Sequence, residues 1–204
     1  MEELTMKINK KSRNLVLSMA LGDGYVNPKG FLSVRHSEVQ KEYAEWKRQL
    51  LKSNGINVTE LYTHPNNGYG AYEFRTYTHQ FIKGIRKFLY TPSKNIGNRK
   101  VLNQLTPLGL AIWYMDDGGL AQKKRNGKIY ANELMLNTLL SKEENQIIID
   151  YFKEVWGINF SQCKNRGRYR LRCGTREARK FISIIKPYVE QVECMKYKID
   201  VVNS

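Results

Sequence analysis

The sequence contains few cysteines and histidines, and neither type is clustered. Its 204 residues include three cysteines, Cys163, Cys173 and Cys194, and three histidines, with no C-x-x-C pair. A small, odd number of scattered cysteines argues against a disulfide framework and against a zinc site. We therefore expect an intracellular protein in a reducing compartment, and not a secreted one.

Long apolar runs and nucleotide-binding signatures are also missing. The longest apolar run without serine or charge covers residues 108–115, far short of the ~20 residues that cross a membrane as a helix. Neither a Walker A sequence nor a G-x-G-x-x-G pattern occurs, which argues against a nucleotide-driven enzyme. We expect no membrane partner.

Acidic residues are scarce relative to basic ones. The chain has 34 Lys and Arg against 19 Asp and Glu, a formal net charge of +15. A surplus of this size favours a polyanionic partner, and without a membrane segment that partner is a nucleic acid. The hydrophobic fraction of 41% is typical of a folded protein with one large or two small domains.

The chain contains an internal repeat. Capping-box patterns at Ser37 and Ser141 each begin a predicted helix, and each helix is followed by Gly-Ile-Asn, at residues 55–57 and 157–159. With the flanking strand-like and helical segments, the order α-β-β-α-β-β-α occurs twice. This pattern predicts an α+β fold with halves at residues 1–92 and 105–204, joined by a linker at residues 93–104.

An acid followed by glycine ends an apolar run in each half, at Asp23-Gly24 and at Asp117-Gly118. The helix dipole disfavours a carboxylate at a helix C-terminus, and two such carboxylates side by side would repel each other. A divalent cation removes both penalties, because carboxylate and carbonyl oxygens are good ligands for Mg²⁺ and Ca²⁺. In a basic protein, this arrangement indicates metal-dependent phosphodiester hydrolysis.

These motifs resemble those of the LAGLIDADG homing endonucleases, in their single-chain, two-motif form. The second motif includes Leu-Thr-Pro at residues 105–107 and Leu-Ala-Ile-Trp-Tyr-Met-Asp-Asp-Gly-Gly at residues 110–119, and the first keeps Leu-Gly-Asp-Gly-Tyr at residues 21–25. The resemblance covers nearly the whole chain. It implies two pseudo-symmetric αββαββα halves, motif helices at their interface, and an antiparallel β-saddle over double-stranded DNA.

The resemblance also assigns one acidic metal ligand, one carbonyl ligand and one basic catalytic residue to each half. They are Asp23, Gly22 and Lys94 in the first half, and Asp117, Asp116 and Lys198 in the second. It implies Mg²⁺ as the cofactor, with Mn²⁺ or Ca²⁺ as other possible occupants of the site. The lysines would position water or stabilise charge on the phosphoryl group.

The predicted strands carry basic and polar side chains suited to DNA. Alternate residues of a two-stranded ribbon face the bases of the major groove, so we expect Arg168, Arg170 and Arg172 to share one strand face. The full set of predicted DNA contacts is Ser33, Arg35, His36, Tyr72, Arg75, Tyr77, Lys124, Arg125, Lys128, Asn137, Lys164, Arg166, Arg168, Arg170 and Arg172.

The leading hypothesis is a monomeric, Mg²⁺-dependent endonuclease that cuts both strands of a long asymmetric DNA site and leaves short 3′ overhangs. A second hypothesis is an intron maturase that binds intron RNA through the same saddle without cutting. A third hypothesis is a DNA-binding regulator built on a degenerate nuclease fold. The loss of Asp23 or Asp117 would have favoured it, and neither is lost. A separate nuclease signature at Glu45-Trp46-Lys47 is treated as coincidence, because it lies within a predicted amphipathic helix with Trp46 directed inward.

Overall fold

The computed structural model describes residues 9–66, 69–90 and 94–200. The chain divides into two compact units, Met1–Ser93 and Lys94–Ser204. Each unit contains a four-stranded antiparallel sheet with α-helices before, between and after its strand pairs. The predicted α+β class with two repeated halves is therefore confirmed.

The first unit has an antiparallel sheet in which the strands lie in the order β1-β2-β4-β3. Its helices are α1 (Lys10–Leu21), α2 (Lys41–Ser53) and α3 (Gln80–Leu89), and its strands are β1 (Tyr25–Val26), β2 (Leu32–Ser37), β3 (Tyr62–Asn66) and β4 (Tyr69–Arg75).

The second unit has the equivalent strand order, β5-β6-β8-β7. Its helices are α4 (Arg99–Leu102), α5 (Pro107–Asp117), α6 (Lys142–Trp156) and α7 (Thr175–Val189), and its strands are β5 (Gly118–Arg125), β6 (Lys128–Leu140), β7 (Ser161–Asn165) and β8 (Arg168–Gly174). Apart from the short α4 and the 3₁₀ helices Glu38–Gln40 and Glu193–Lys198, the two units repeat the same succession of elements.

One of the two predicted capping boxes forms. The Ser141 hydroxyl accepts from the backbone N–H of Glu144 at 3.1 Å, and the Glu144 carboxylate accepts from the N–H of Ser141 at 2.9 Å. The prediction at Ser37 is wrong, because the side chain of Ser37 makes no capping hydrogen bond. A short 3₁₀ helix, Glu38–Gln40, follows, and α2 begins only at Lys41.

One face of each sheet is covered by helices and the other is open. Along β2 the side chains alternate between buried and accessible positions, because successive residues of a strand point to opposite faces. In the first unit α2 contacts β2 and β4, and in the second α7 contacts β6 and β8. Basic residues on alternate strand positions can therefore occupy the open faces.

Aromatic rings dominate the core of the second unit. The ring of Phe152 lies 4.8 Å from that of Phe160, 5.9 Å from that of Phe181 and 6.1 Å from that of Trp113, centroid to centroid. Because Trp113 belongs to α5, this cluster anchors the motif helix to α6 and α7.

Among the described residues, none of the helices is both long enough and apolar enough to cross a membrane.

Replacing Phe152 by alanine should lower the free energy of unfolding by about 3–5 kcal/mol, because a buried ring at the centre of the cluster is lost and a cavity remains. Ile147→Ala, on the exposed side of the same helix, serves as the control and should cost less than about 1 kcal/mol. Urea denaturation followed by circular dichroism measures both. Equal losses for the two variants would contradict the assigned core.

Candidate functional site

Each acidic motif lies at the C-terminal end of a buried helix. In the first unit α1 ends at Leu21, and Asp23 follows with 44% of its side chain exposed. In the second unit Asp117 is the last residue of α5 and is half-buried. Both predicted acids are therefore accessible, although the helices that carry them are buried.

The glycine after each acid lies against the helix that precedes it. A Cβ atom added to Gly24 would lie 2.5 Å from the carbonyl oxygen of Met19, and one added to Gly118 would lie 2.4 Å from the carbonyl oxygen of Tyr114. Gly118 has φ −85°, which any residue can adopt, so its constraint is space. Both halves thus require glycine because the chain turns sharply out of the helix.

A buried histidine and lysine lie beside Asp23. His36 Nδ1 is 3.8 Å from Asp23 Oδ2, and His36 Nε2 is 3.1 Å from Lys47 Nζ. Lys47 is fully buried, with its ammonium 4.3 Å from the ring centroid of Tyr43. Lys47 belongs to the Glu45-Trp46-Lys47 signature that was set aside as coincidence, although Tyr43 and Leu51, four residues to either side, indicate that Lys47 shares their buried helix face.

Lys198 lies at the end of α5. Its buried ammonium donates to the carbonyl oxygens of Met115 and Gly118, the latter at 2.9 Å, and the Tyr114 hydroxyl donates to the Lys198 carbonyl at 2.7 Å. Asn137 Nδ2 donates to the Asp117 carbonyl at 3.0 Å. A cation is thus fixed at the negative end of the helix dipole, next to the acid with which the sequence analysis grouped it.

The other predicted site residues are Gly22, Asp116 and Lys94. The backbone N–H of Gly22 caps α1 by donating to the Ser18 carbonyl at 3.4 Å. Asp116 is half-buried in the last turn of α5, and Lys94 is half-buried at the start of the second unit. The roles of Gly22, Asp116 and Lys94 stay predictions.

The open face of the first sheet carries an acid that the sequence analysis missed. The carboxylate of Glu73 accepts hydrogen bonds from Ser33, Arg35, Tyr62 and Arg75 at 2.6–3.0 Å. Burial by itself raises the pKa of Glu73, but these donors outweigh it and lower the pKa to about 2. The predicted DNA contacts Ser33, Arg35 and Arg75 therefore lie together, around an anion.

Two predicted DNA contacts of the first unit lie on the opposite, helix-covered face. His36 is 4% exposed and pairs with Tyr72 across β2 and β4, and the ammonium of Lys41 lies 4.7 Å from the Tyr72 ring centroid. Both residues were predicted as DNA contacts together with Arg35, but the period-two alternation of strands puts them on the other face of the sheet. Tyr77, just after β4, is 63% exposed.

The open face of the second sheet carries the arginine row. Arg172, Arg170 and Arg168 pair with residues 161, 163 and 165 of β7 in register, which places the three guanidiniums on one face as expected. Asn137, which donates to the Asp117 carbonyl, is half-buried within β6. The other predicted contacts of this unit lie in or beside the two hairpin turns of the sheet and are exposed. They are Lys124, Arg125 and Lys128 at one turn, and Lys164 and Arg166 at the other.

An acid also lies on the open face of the second sheet. Glu133 Oε2 is 2.5 Å from Lys123 Nζ and 3.9 Å from Arg172 Nη1. The hydrogen bond from Lys123 lowers the pKa of Glu133 below its usual value. This acid is 17% exposed, whereas the Glu73 side chain has no exposed area, so the two open faces differ in how tightly they hold their basic residues.

Sequence comparison places the chain among endonucleases. A sequence model of the LAGLIDADG DNA endonuclease family matches residues 13–181. The "Probable intron-encoded DNA endonuclease 3" of Mycosarcoma maydis is 30% identical over 135 residues, which are 63% of this chain and 93% of that protein. "Protein RecA" of Mycobacterium gastri is 27% identical over 203 residues, and the chain spans only 46% of its length.

A solved structure shares the fold. "The homing endonuclease I-WcaI bound to its DNA recognition sequence" superposes with a TM-score of 0.78 at 23% identity, covering 97% of this chain and 88% of that one. The likeness extends over both units, so it supports the duplicated αββαββα architecture.

Replacing Gly118 by alanine should destabilise the end of α5 by about 2 kcal/mol, because the new methyl group overlaps a backbone carbonyl and cannot be accommodated without movement. Gly119→Ala is the matched control, since nothing lies within 4 Å of an added Cβ there. Thermal unfolding of both variants measures the difference. A Gly118→Ala protein as stable as Gly119→Ala would contradict the tight turn.

Replacing Glu73 by glutamine should destabilise the protein at neutral pH but have little effect in strong acid. A folded-state pKa of about 2 against an ordinary 4.5 means that the ionised carboxylate stabilises the fold above pH 4.5. This contribution, at most about 3 kcal/mol, is lost as the pH falls from 4.5 through 2. Urea unfolding of both proteins across that range measures it, and a difference that is independent of pH would contradict the assignment.

Proposed function

This chain belongs to the LAGLIDADG DNA endonuclease family, and we propose that it is a monomeric, divalent-metal-dependent endonuclease that cuts both strands of one long asymmetric DNA site. The observation that carries the proposal is the duplicated acid. Asp23 and Asp117 occur at equivalent helix ends of two repeated units, and each is followed by a glycine without space for a side chain. A single chain with two such positions has one acid for each strand of the duplex.

The donor atoms at the two helix ends suit a hard divalent cation. The carboxylates of Asp23 and Asp117 and the carbonyls of Gly22 and Asp116 are all oxygen donors, which favours Mg²⁺ over softer metals and also admits Mn²⁺ or Ca²⁺. A bound cation would supply a more acidic water and stabilise the charge on the leaving oxygen.

A lysine of the chain provides a fixed positive charge beside Asp117. The ammonium of Lys198 is fixed by two backbone carbonyls of the same turn, so it adds positive charge near the acid without needing to be ordered when DNA binds. Such a fixed cation can stabilise developing negative charge on a phosphoryl group. Lys94 is proposed as its counterpart for Asp23.

The unlike open faces support an asymmetric target. The first carries Arg35 and Arg75 around a buried glutamate, and the second carries the row Arg168, Arg170 and Arg172. Two different arrays of donors read two different half-sites, because base edges are recognised by the positions of donors and acceptors. We propose that the cut leaves short 3′ overhangs, as the family resemblance implies.

Substituting either acid by asparagine should abolish cleavage while leaving DNA binding largely intact. Asparagine keeps the shape but removes the charge that would hold the cation, so we expect a loss of roughly 1,000-fold or more in cleavage rate. Asp150→Asn, on the exposed face of α6, is the control and should cut like the wild type. The assay is cleavage of a plasmid library of candidate sites with Mg²⁺, with Ca²⁺ and with EDTA.

The outcomes of this assay separate the competing functions. Double-strand breaks at one site that require the metal, Asp23 and Asp117 would support the nuclease. Undiminished cutting by Asp117→Asn would contradict the assigned site. Tight, salt-sensitive binding of DNA without any cut would favour the regulator, and a preference for folded intron RNA would favour the maturase.

A further inference from the structure

The carboxylate of Glu73 is fully buried in the middle of an open sheet face. Its Oε1 accepts from the Ser33 hydroxyl at 2.9 Å, the Tyr62 hydroxyl at 2.8 Å and Arg75 Nε at 2.6 Å. Its Oε2 accepts from Arg35 Nε at 3.0 Å and Nη2 at 2.7 Å. The acid is therefore covered by the same side chains that the open face presents to solvent.

An acid at this position lowers the affinity of a surface that binds DNA only through its phosphates. A negative charge between two arginines lowers the positive potential of that face, whereas affinity for the DNA backbone rises with the number of cations presented to it. The chain has few acids, and this one has no exposed side-chain area. The position of Glu73 is therefore better explained by the way it orients the two arginines than by the charge it adds to the face.

Glu73 restricts both arginines while leaving them accessible. The side chains of Arg35 and Arg75 are 43% and 45% exposed although each donates to the same carboxylate. The guanidinium of Arg75 also lies 5.6 Å from the ring centroid of Phe31 and 5.8 Å from that of Tyr62. An arginine held in one conformation loses little entropy on binding, and its rigid donors match the O6 and N7 acceptors of guanine.

We propose that Glu73 is a positioning residue that sets the sequence specificity of the first unit, by holding Arg35 and Arg75 as a fixed pair of donors for base edges in the major groove. This rests on the proposed function, in which the open faces bind DNA. The second unit lacks such an arrangement among its described residues, since Glu133 reaches the arginine row only at 3.9 Å from Arg172. Specificity for guanine positions should therefore depend on Glu73 in one half-site and not in the other.

The experiment selects bound sequences from a randomised DNA duplex library in metal-free buffer, using the full chain. The wild type is compared with Glu73→Gln, Arg75→Lys and Glu60→Gln. Glu60→Gln removes the same charge at a side chain that is 82% exposed and paired with Arg48. Arg75→Lys keeps the net charge but loses the planar guanidinium, so unchanged selectivity in this variant would contradict the proposal even if Glu73→Gln folds poorly.

We expect the wild type and Glu60→Gln to select the same site. Glu73→Gln and Arg75→Lys should lose selectivity at the same few positions of one half-site, with about 10-fold or more weaker discrimination there, while the other half-site is unchanged. For Glu73→Gln, the affinity for random DNA should rise, because the charge of the arginines is no longer neutralised by the carboxylate. The slope of log K against log salt concentration should become steeper by about one unit. A merely structural role for Glu73 would weaken all sequences alike.

Two results would overturn the proposal, and they differ from each other. If Glu73→Gln and Arg75→Lys select the wild-type site with undiminished selectivity at every position, the positioning role is wrong and the proposed function stands. If the wild type itself selects no sequence, the site-specific function fails and the positioning role fails with it.

Discussion

The sharp exit of each motif helix is the constraint on which the candidate site depends. Gly24 and Gly118 lie directly against backbone carbonyls of α1 and α5, so the chain leaves each helix without room for a side chain. This turn brings an acid to the surface at the end of a buried helix. The strands that begin there, β1 and β5, then connect each acid to the sheet that we propose binds DNA.

The second constraint is charge, and it acts differently in the two units. A chain with net charge +15 gains affinity for a polyanion from every accessible cation, yet each open face carries an acid among its basic residues. Glu73 is enclosed by its donors, whereas Glu133 is partly exposed and bound mainly by Lys123. Stability and recognition are linked at Glu73, because the hydrogen bonds that lower its pKa also restrict Arg35 and Arg75.

Local sequence signals predicted most elements but not every contact. The Ser141 capping box begins α6 as predicted, because this signal involves neighbouring residues only. The same pattern at Ser37 forms no capping box, and a 3₁₀ helix separates Ser37 from α2, which begins at Lys41. Arg35 and Arg75 were predicted as DNA contacts but Glu73 was not, although Glu73 and Arg75, two positions apart on β4, share one strand face; only the pairing of β2 with β4 brings Arg35 to the same acid.

The sequence by itself determined the duplicated αββαββα order, the two acid-glycine motifs and the basic character of the surface, because periodicity, capping and composition are local properties of a chain. The tertiary structure decided which side chains meet. It buried His36 and Lys47 beside Asp23, brought Lys198 to the end of α5 from 81 positions after Asp117 (198 − 117), and enclosed Glu73 between two arginines. Strand register and helix packing fix these contacts, and both depend on residues far apart in the chain.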